Sequence, residues 1–408
     1  MLSCRHCRTP LEKVFVDLGH QPPSNAYLPA ERLAEPEITY PLKAYVCEEC
    51  WLVQLPEHAA AGELFTADYA YFSSISKSWL AHAERFVSGA VERFGLDEKS
   101  FVVEAASNDG YLLQYVAGRG ISCLGIEPTA STAAAARIKG IETEEVFLGE
   151  GTARLLAGKY RKADLVVANN VLAHVPDIND FMRGIRELLA AEGVAVFEFP
   201  HLMRLIEGLQ FDTIYHEHYS YLSLYTARRI SAKAGLRVFD AEELPTHGGS
   251  LRLFVCHDHA GHEGAERLGR LAAAELDAGV RQSAFYGRLQ AEAERIKDEL
   301  LLFLIGEKSA GRTVAGYGAA AKGNTLLNFA GVRPDLLPFV CDAAPSKQGK
   351  FLPGSHIPIL PPSALEKARP DCVLILPWNI ANEIVEAMSN VRDWEGRFAV
   401  AVPRLKLQ

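Results

Sequence analysis

From about residue 100 the chain alternates short apolar runs with segments whose apolar residues recur at helical spacing. Phe101-Val-Val103, Ser122-Cys-Leu-Gly-Ile126, Asp164-Leu-Val-Val-Ala168 and Gly193-Val-Ala-Val-Phe-Glu-Phe199 read as four strands. A helix from Tyr111 and another across Ala133 to Ala136 lie between them. This alternation predicts an α/β fold with a parallel, doubly wound sheet. Leu251-Arg-Leu-Phe-Val-Cys256 reads as a late strand at an antiparallel edge, and residues 263 to about 309 are helical in composition. The α/β pattern then restarts. Thr313-Val-Ala-Gly-Tyr-Gly318 is a strand and glycine turn, Ala320 to Phe329 a helix, and Leu337 to Asp342 and Asp371 to Leu376 are strands. Upstream, Trp79, Leu80, Ala83, Phe86 and Val87 recur at helical spacing from Ser76 on. Residues 1 to about 65 carry many prolines, including Pro22-Pro23-Ser24-Asn25, and weak periodicity.

A chain of 408 residues exceeds a single hydrophobic core, so two or three domains are expected. Its 49% hydrophobic and 23% charged residues are those of a globular protein, and its formal charge of −9 argues against nucleic-acid binding by phosphate neutralisation. No run approaches the roughly 20 apolar residues of a membrane span. Met1-Leu-Ser-Cys-Arg-His has no apolar signal character. No nucleic-acid or membrane partner is expected, and the expected location is the cytoplasm.

Four of the eight cysteines form two knuckles, Cys4-x-x-Cys7 and Cys47-x-x-Cys50. Two such pairs in one turn-rich region supply the four thiolates of a tetrahedral structural zinc site, with no open position for catalysis. A short region that buries little apolar surface gains most from such a staple. The alternative is a redox dithiol or chance pairing.

Glu104-Ala-Ala-Ser-Asn-Asp-Gly110 follows the first strand of the α/β region. Gly110 admits a close backbone approach, and Ser107 and Asn108 lie beside the donors of a helix start. Glu127 ends the next strand, where an acid accepts from both hydroxyls of a ribose, and Asn169 ends the third on the same carboxyl edge. The turn is not GxGxxG, so the pattern fits a nucleoside such as S-adenosylmethionine better than a dinucleotide. An ordinary βα turn with a surface acid is the bland alternative.

Tyr215-His-Glu-His218-Tyr219, with Tyr221, has the composition of an acid/base centre. A histidine titrates near neutrality, and a carboxylate beside it can raise its basicity and fix its tautomer. His216 and His218 could instead ligate a metal, or the cluster could be packing alone. His174 follows the third strand and could face the same pocket. His247-Gly248-Gly249-Ser250 is a turn that lets a substrate come close. In Gly316-Tyr-Gly-Ala-Ala-Ala-Lys-Gly323, Lys322 near a helix start suits a pyrophosphate. Asp342, Lys347 and Gln348 add polar groups at the next strand end.

In this order, Cys4/Cys7/Cys47/Cys50, Tyr69-Ala-Tyr-Phe-Ser-Ser74, Glu104 to Gly110, Tyr215 to Tyr221, His247-Gly-Gly-Ser-Leu-Arg252 and Gly316 to Gly323 resemble the three-domain sugar C-methyltransferases. Those enzymes use S-adenosylmethionine to methylate carbon, commonly C3 of dTDP-4-keto-6-deoxysugars. The resemblance runs along essentially the whole chain. It implies a zinc-binding module at residues 1–65 that helps close the site and a Rossmann-like methyltransferase domain at 66–262. A helical linker and a C-terminal Rossmann-like nucleotide-sugar domain would fill 263–408. It also implies His218 as general base, Glu217 and Tyr215 in the same site, and Tyr69 and His174 as secondary candidates. Lys322, Asp342, Lys347, Gln348 and His247 would serve a nucleotide sugar, dTDP-linked by the same resemblance, in a monomer or weak dimer. Rival readings are methylation of another small substrate and a non-catalytic nucleotide-sugar-binding protein. A nicotinamide dehydrogenase is weakened by the absence of a dinucleotide turn.

Overall fold

The computed structural model describes residues 2–58 and 72–408. Among them, strands β1 (Lys13–Gln21), β2 (Tyr40–Val46) and β3 (Val53–Gln54) pair antiparallel near the N-terminus. The α/β region supplies β4 (Phe101–Ala105), β5 (Ser122–Ile126), β6 (Thr143–Glu144), β7 (Ala163–Asn169) and β8 (Leu189–Pro200), paired parallel with one another. β9 (Ser220–Tyr221) leaves that region and joins β3, giving a four-stranded N-terminal sheet in the order β1-β2-β3-β9. β10 (Leu236–Leu244) and β11 (Ser250–His257) then complete a seven-stranded central sheet, β10-β11-β8-β7-β4-β5-β6. The third sheet takes β12 (Val314–Tyr317), β13 (Val340–Cys341), β14 (Ile359–Leu360), β15 (Cys372–Ile375), β16 (Arg397–Val400) and β17 (Lys406–Leu407) in the order β14-β13-β12-β15-β16-β17. It is parallel up to β16, with β17 antiparallel.

The apolar runs explain the central sheet. All five residues of β4 are buried, as expected for a parallel strand covered by helices on both faces. The helix Lys77–Phe94 starts where the Ser76 hydroxyl accepts from Trp79 N, and stops at Gly95 with φ 62°. It buries Ala83, Phe86, Val87 and Ala90 against the sheet.

Two expectations fail here. The strand over 251–256 is not an edge: β11 lies between β8 and β10, and β10 is the outer strand. Arg237, Glu242 and Glu243 interrupt its apolar run, as suits an outer strand, and the buried Asp240 is paired with Arg93 and Arg267. The N-terminal region is also more regular than its pattern suggested. β1 buries Phe15, Val16 and Leu18, but register shifts between Val14 and Val16 and between Asp17 and His20 break strict alternation.

The N-terminal module is wedged between the other two units. Cys4, Cys47, Cys50 and Leu52 share an apolar core with the central sheet. Phe15, Leu18 and Leu42 share another with the helix Leu289–Ser309 and the C-terminal sheet. Leu28 bridges to Phe351, and Ser24 Oγ lies 3.3 Å from Thr325 Oγ1. No helix among the described residues is long and apolar enough to cross a membrane.

Candidate active site

The four knuckle thiols converge. Their Sγ atoms all lie within 4.8 Å of one another, with Cys4 to Cys50 and Cys7 to Cys47 each at 3.5 Å. These separations are far too long for disulfides. They suit four thiolates about 2.3 Å from one zinc ion, whose tetrahedral edges would be roughly 3.8 Å. Gln54 Nε2 donates to Cys4 Sγ at 3.2 Å, an outer contact that orients a ligand. The knuckles are locked to the central unit: Asn179 Nδ2 donates to the carbonyls of Arg5 and His6, and Thr226 Oγ1 to that of Cys50.

At the carboxyl edge of the central sheet, the loop after β4 is strained. Ala106 and Asn108 both adopt the left-handed region at φ 51°, and Gly110 does so at φ 74°. A Cβ on Gly110 would meet Ile141 at 3.2 Å. Glu127 holds this loop: one carboxylate oxygen accepts from Asn108 N and the other from Thr129 N, both at 2.9 Å. Beside it, both oxygens of Glu104, both amide atoms of Asn169 and Ser107 Oγ are buried without a well-formed hydrogen bond from any described residue. The Tyr111 hydroxyl lies next to Glu104 and Asn169. Burial holds the Glu104 carboxyl far above its usual range. Buried polar atoms are almost always paired, so this group matches a polar ligand. An ammonium opposite Glu104 and a polar nucleoside fit it, as S-adenosylmethionine would provide.

The Tyr215–Tyr221 segment meets the central sheet's carboxyl edge at His174, which follows β7. His218 Nδ1 donates to the Thr213 carbonyl at 3.0 Å, which leaves Nε2 as the lone-pair nitrogen. Its ring lies 3.9 Å from that of Tyr215 and 4.7 Å from that of His174. Burial holds His218 well below its ordinary pKa, and His174 and Lys322 add to the effect. His174 donates from Nδ1 to the Glu217 carbonyl at 2.8 Å, and burial brings its pKa down to about 4. The buried Tyr221 hydroxyl faces the backbone of Tyr215 without a well-formed hydrogen bond. Two sequence expectations look different here. The tautomer of His218 is set by a carbonyl, whereas the Glu217 carboxylate turns to Asn25 Nδ2 at 2.5 Å. His216 is buried apart, its ring edge-on to Tyr40, and the only metal-competent cluster among the described residues is the four cysteines.

Burial raises the Glu217 carboxyl to about 7. Between its ordinary 4.5 and that value, the unfolded chain has released a proton that the folded chain still holds. This group therefore makes the protein less stable as pH rises through that window. Glu217→Gln should gain stability relative to the natural chain between pH 5 and pH 8, by about 3 kcal/mol. Denaturant unfolding at the two pH values checks this, and parallel losses in both chains would contradict it.

The substrate-side candidates divide into two groups. Asp342 accepts from Ala319 N at 2.7 Å and Ala344 N at 2.8 Å, which repeats the way Glu127 holds its loop. Lys347 donates to the Ala319 carbonyl, Gln348 to that of Asp342, and Tyr27 to that of Ala319. Lys322 and His247 are elsewhere. Lys322 lies over the Trp378 ring, and His247, with φ 54°, lies 3.4 Å from Asn170 Nδ2 and 5.4 Å from the Trp79 ring. Burial lowers His247 to about 4. A Cβ on the neighbouring Gly248 would meet Trp378 at 2.6 Å. Tyr69 falls outside the described residues.

Sequence reasoning missed Asn25, Tyr27, Asp212, Trp378 and Asn379. Trp378 and Asn379 follow β15 at the carboxyl edge of a sheet, the same signal that singled out Asn169. Nothing local marks Asn25, because its meeting with Glu217 spans 192 residues of chain.

Three family models match along the chain: a zinc binding domain at residues 4–65, a methyltransferase domain at 79–241 and a C-methyltransferase C-terminal domain at 245–403. C-methyltransferase NovU of Streptomyces niveus is 34% identical over 401 residues, 98% of this chain and 95% of that protein. Two solved structures cover less. Magnesium protoporphyrin IX methyltransferase of Synechocystis PCC 6803, with bound SAM, is 16% identical over 44% of this chain and 79% of its own, with a TM-score of 0.35. A SAM-dependent methyltransferase of Anabaena variabilis is 15% identical over 44% and 86%, with a TM-score of 0.36. The full-length relative and the three models carry the assignment: the chain belongs to the three-domain sugar C-methyltransferase family. It is a SAM-dependent C-methyltransferase with a structural zinc site.

Proposed function

We propose that the protein methylates C3 of a nucleotide-linked 4-keto-6-deoxysugar, dTDP-linked, in the cytoplasm, with His218 as the base. The observation that carries this reading is the His218 ring. Its Nδ1 is committed to the Thr213 carbonyl, its Nε2 carries the free lone pair, and burial keeps it neutral at pH 7. Its segment meets His174, which follows β7, and reaches through Glu217 and Asn25 the N-terminal module, whose Tyr27 donates to the Ala319 carbonyl beside Asp342. That second cradle supports a second nucleotide ligand, because it duplicates the Glu127 arrangement in another α/β unit.

Glu104, Ser107, Asn108, Gly110, Glu127 and Asn169 would hold S-adenosylmethionine, which when bound supplies an electrophilic methyl group on sulfur. Asp342, Lys347 and Gln348 would hold the nucleotide. A 4-keto group acidifies the C3 hydrogen, His218 Nε2 takes that proton, and the enolate carbon receives the methyl group. Tyr215 packs the base, and Glu217, tied to Asn25, carries the N-terminal module to the same wall. Water must be kept from the enolate, and that wall contributes to its exclusion.

Purified protein incubated with S-adenosylmethionine and dTDP-4-keto-6-deoxyglucose tests the reading. A product one methyl heavier, with the new carbon on C3 by NMR, is expected. A methyl on oxygen, or on another carbon, would overturn the C3 assignment.

A further inference from the structure

Lys322 belongs to the glycine-rich loop, yet its side chain does not join the Asp342 cluster. Nζ donates to Asn379 Oδ1 at 2.6 Å and lies 4.6 Å from the centre of the Trp378 ring. Trp378 in turn donates from Nε1 to Asp212 Oδ2 at 2.8 Å, while Asp212 Oδ1 is buried without a well-formed hydrogen bond from any described residue. Asp212 attracts the ammonium from beyond contact distance. From this position the ammonium acts on His218 and on His247 and pushes both toward the neutral form. The carbonyl that fixes His218 belongs to Thr213, next in the chain to Asp212, so the run of contacts from Lys322 through Trp378 to Asp212 ends beside the base.

A cation set inside a protein loses solvation. Here it recovers part of that loss from one neutral amide, one aromatic face and a carboxylate at longer range. The arrangement is short of a negative charge at the point where the base works. Enolisation of a 4-keto sugar creates one. We infer that Lys322 is a catalytic residue, its ammonium pairing with the oxygen at C4 as the enolate forms, rather than a ligand of the diphosphate. The inference rests on the keto-sugar reading above.

The step balances without another reactant. The C3–H bond breaks, the proton goes to His218 Nε2, and the bonding pair forms C3=C4. The carbonyl π pair moves onto oxygen, opposite Nζ. Lys322 neither gains nor loses a proton. When C3 bonds to the methyl carbon, the pair from the sulfur–methyl bond stays on sulfur, the C4 carbonyl re-forms and His218 releases its proton to solvent. A fixed cation aimed where charge develops lowers the barrier without reorganising.

The test compares full-length protein with K322M and K322R, each checked for zinc content and S-adenosylmethionine binding. The readouts are solvent deuterium entry at C3 of dTDP-4-keto-6-deoxyglucose without cofactor, and KM for the sugar. K322M should exchange roughly 10²–10³-fold more slowly, with KM little changed, the usual loss for one oxyanion donor. K322R, which keeps the charge, should retain more of the rate than K322M. A raised KM with exchange restored at saturating sugar would make Lys322 a diphosphate ligand and overturn the proposal. Equal rates in K322M and K322R would overturn the role of charge. No exchange in the natural protein would overturn the keto-sugar reading itself, and exchange unchanged in K322M would overturn the Lys322 role alone.

Discussion

His218→Asn should lower kcat by about 10³-fold while S-adenosylmethionine still binds. The asparagine fills much the same space and can still donate to the Thr213 carbonyl, so the wall of Tyr215 and His174 stays in place. What is lost is the lone pair on Nε2. The low pKa of His218 adds a second signature. A base that burial keeps neutral needs no high pH to be ready, so the acid limb of kcat/KM attributable to it should fall below the ordinary histidine range near 6.5. The low basicity costs driving force, and an enolate anion formed beside the ring offsets it by stabilising the imidazolium. Steady-state kinetics and calorimetric titration with the cofactor separate the two effects. Full activity in His218→Asn would remove the residue from the role of base.

Cys50→Ser should bind almost no zinc and lose methyl transfer altogether. Cys50 is buried within the cluster of four thiols, and a serine hydroxyl does not replace a thiolate at zinc. Structural zinc contributes about 10–16 kcal/mol to folding in zinc-finger peptides at pH 7, so losing the ion removes an amount comparable to a domain's whole net stability. The damage would not stay local. The same module supplies Asn25 to Glu217 and Tyr27 to the Ala319 carbonyl, and its β3 pairs with β9 next to the Tyr215–His218 segment. Zinc content by mass spectrometry, thermal unfolding and activity should therefore fall together. A zinc-free variant with natural activity and melting temperature would contradict the account.

The two α/β units could be read from the chain because their strands are buried on both faces and appear as unbroken apolar runs, as in Phe101–Ala105 and Cys372–Ile375. The cysteine knuckles were legible because ligand spacing is local. β10 was not, because it is an edge strand with charges in its run. The partnership of Asn25 with Glu217 and that of Trp378 with Asp212 were invisible for another reason. Both are contacts between units, and neither spacing nor composition records which unit packs on which. Lys322 shows the consequence. Its motif suggested a pyrophosphate, and only its neighbours Asn379, Trp378 and Asp212 point to the reaction centre.

The central claim is that this protein removes a proton from C3 of a keto sugar before any methyl moves. The most direct test holds the natural protein with dTDP-4-keto-6-deoxyglucose in deuterium oxide, without S-adenosylmethionine, and follows C3 by NMR. Deuterium should enter at C3 with the natural protein and about 10³-fold more slowly with His218→Asn. Methyl transfer without any exchange at C3, or exchange equal in both proteins, would contradict the account.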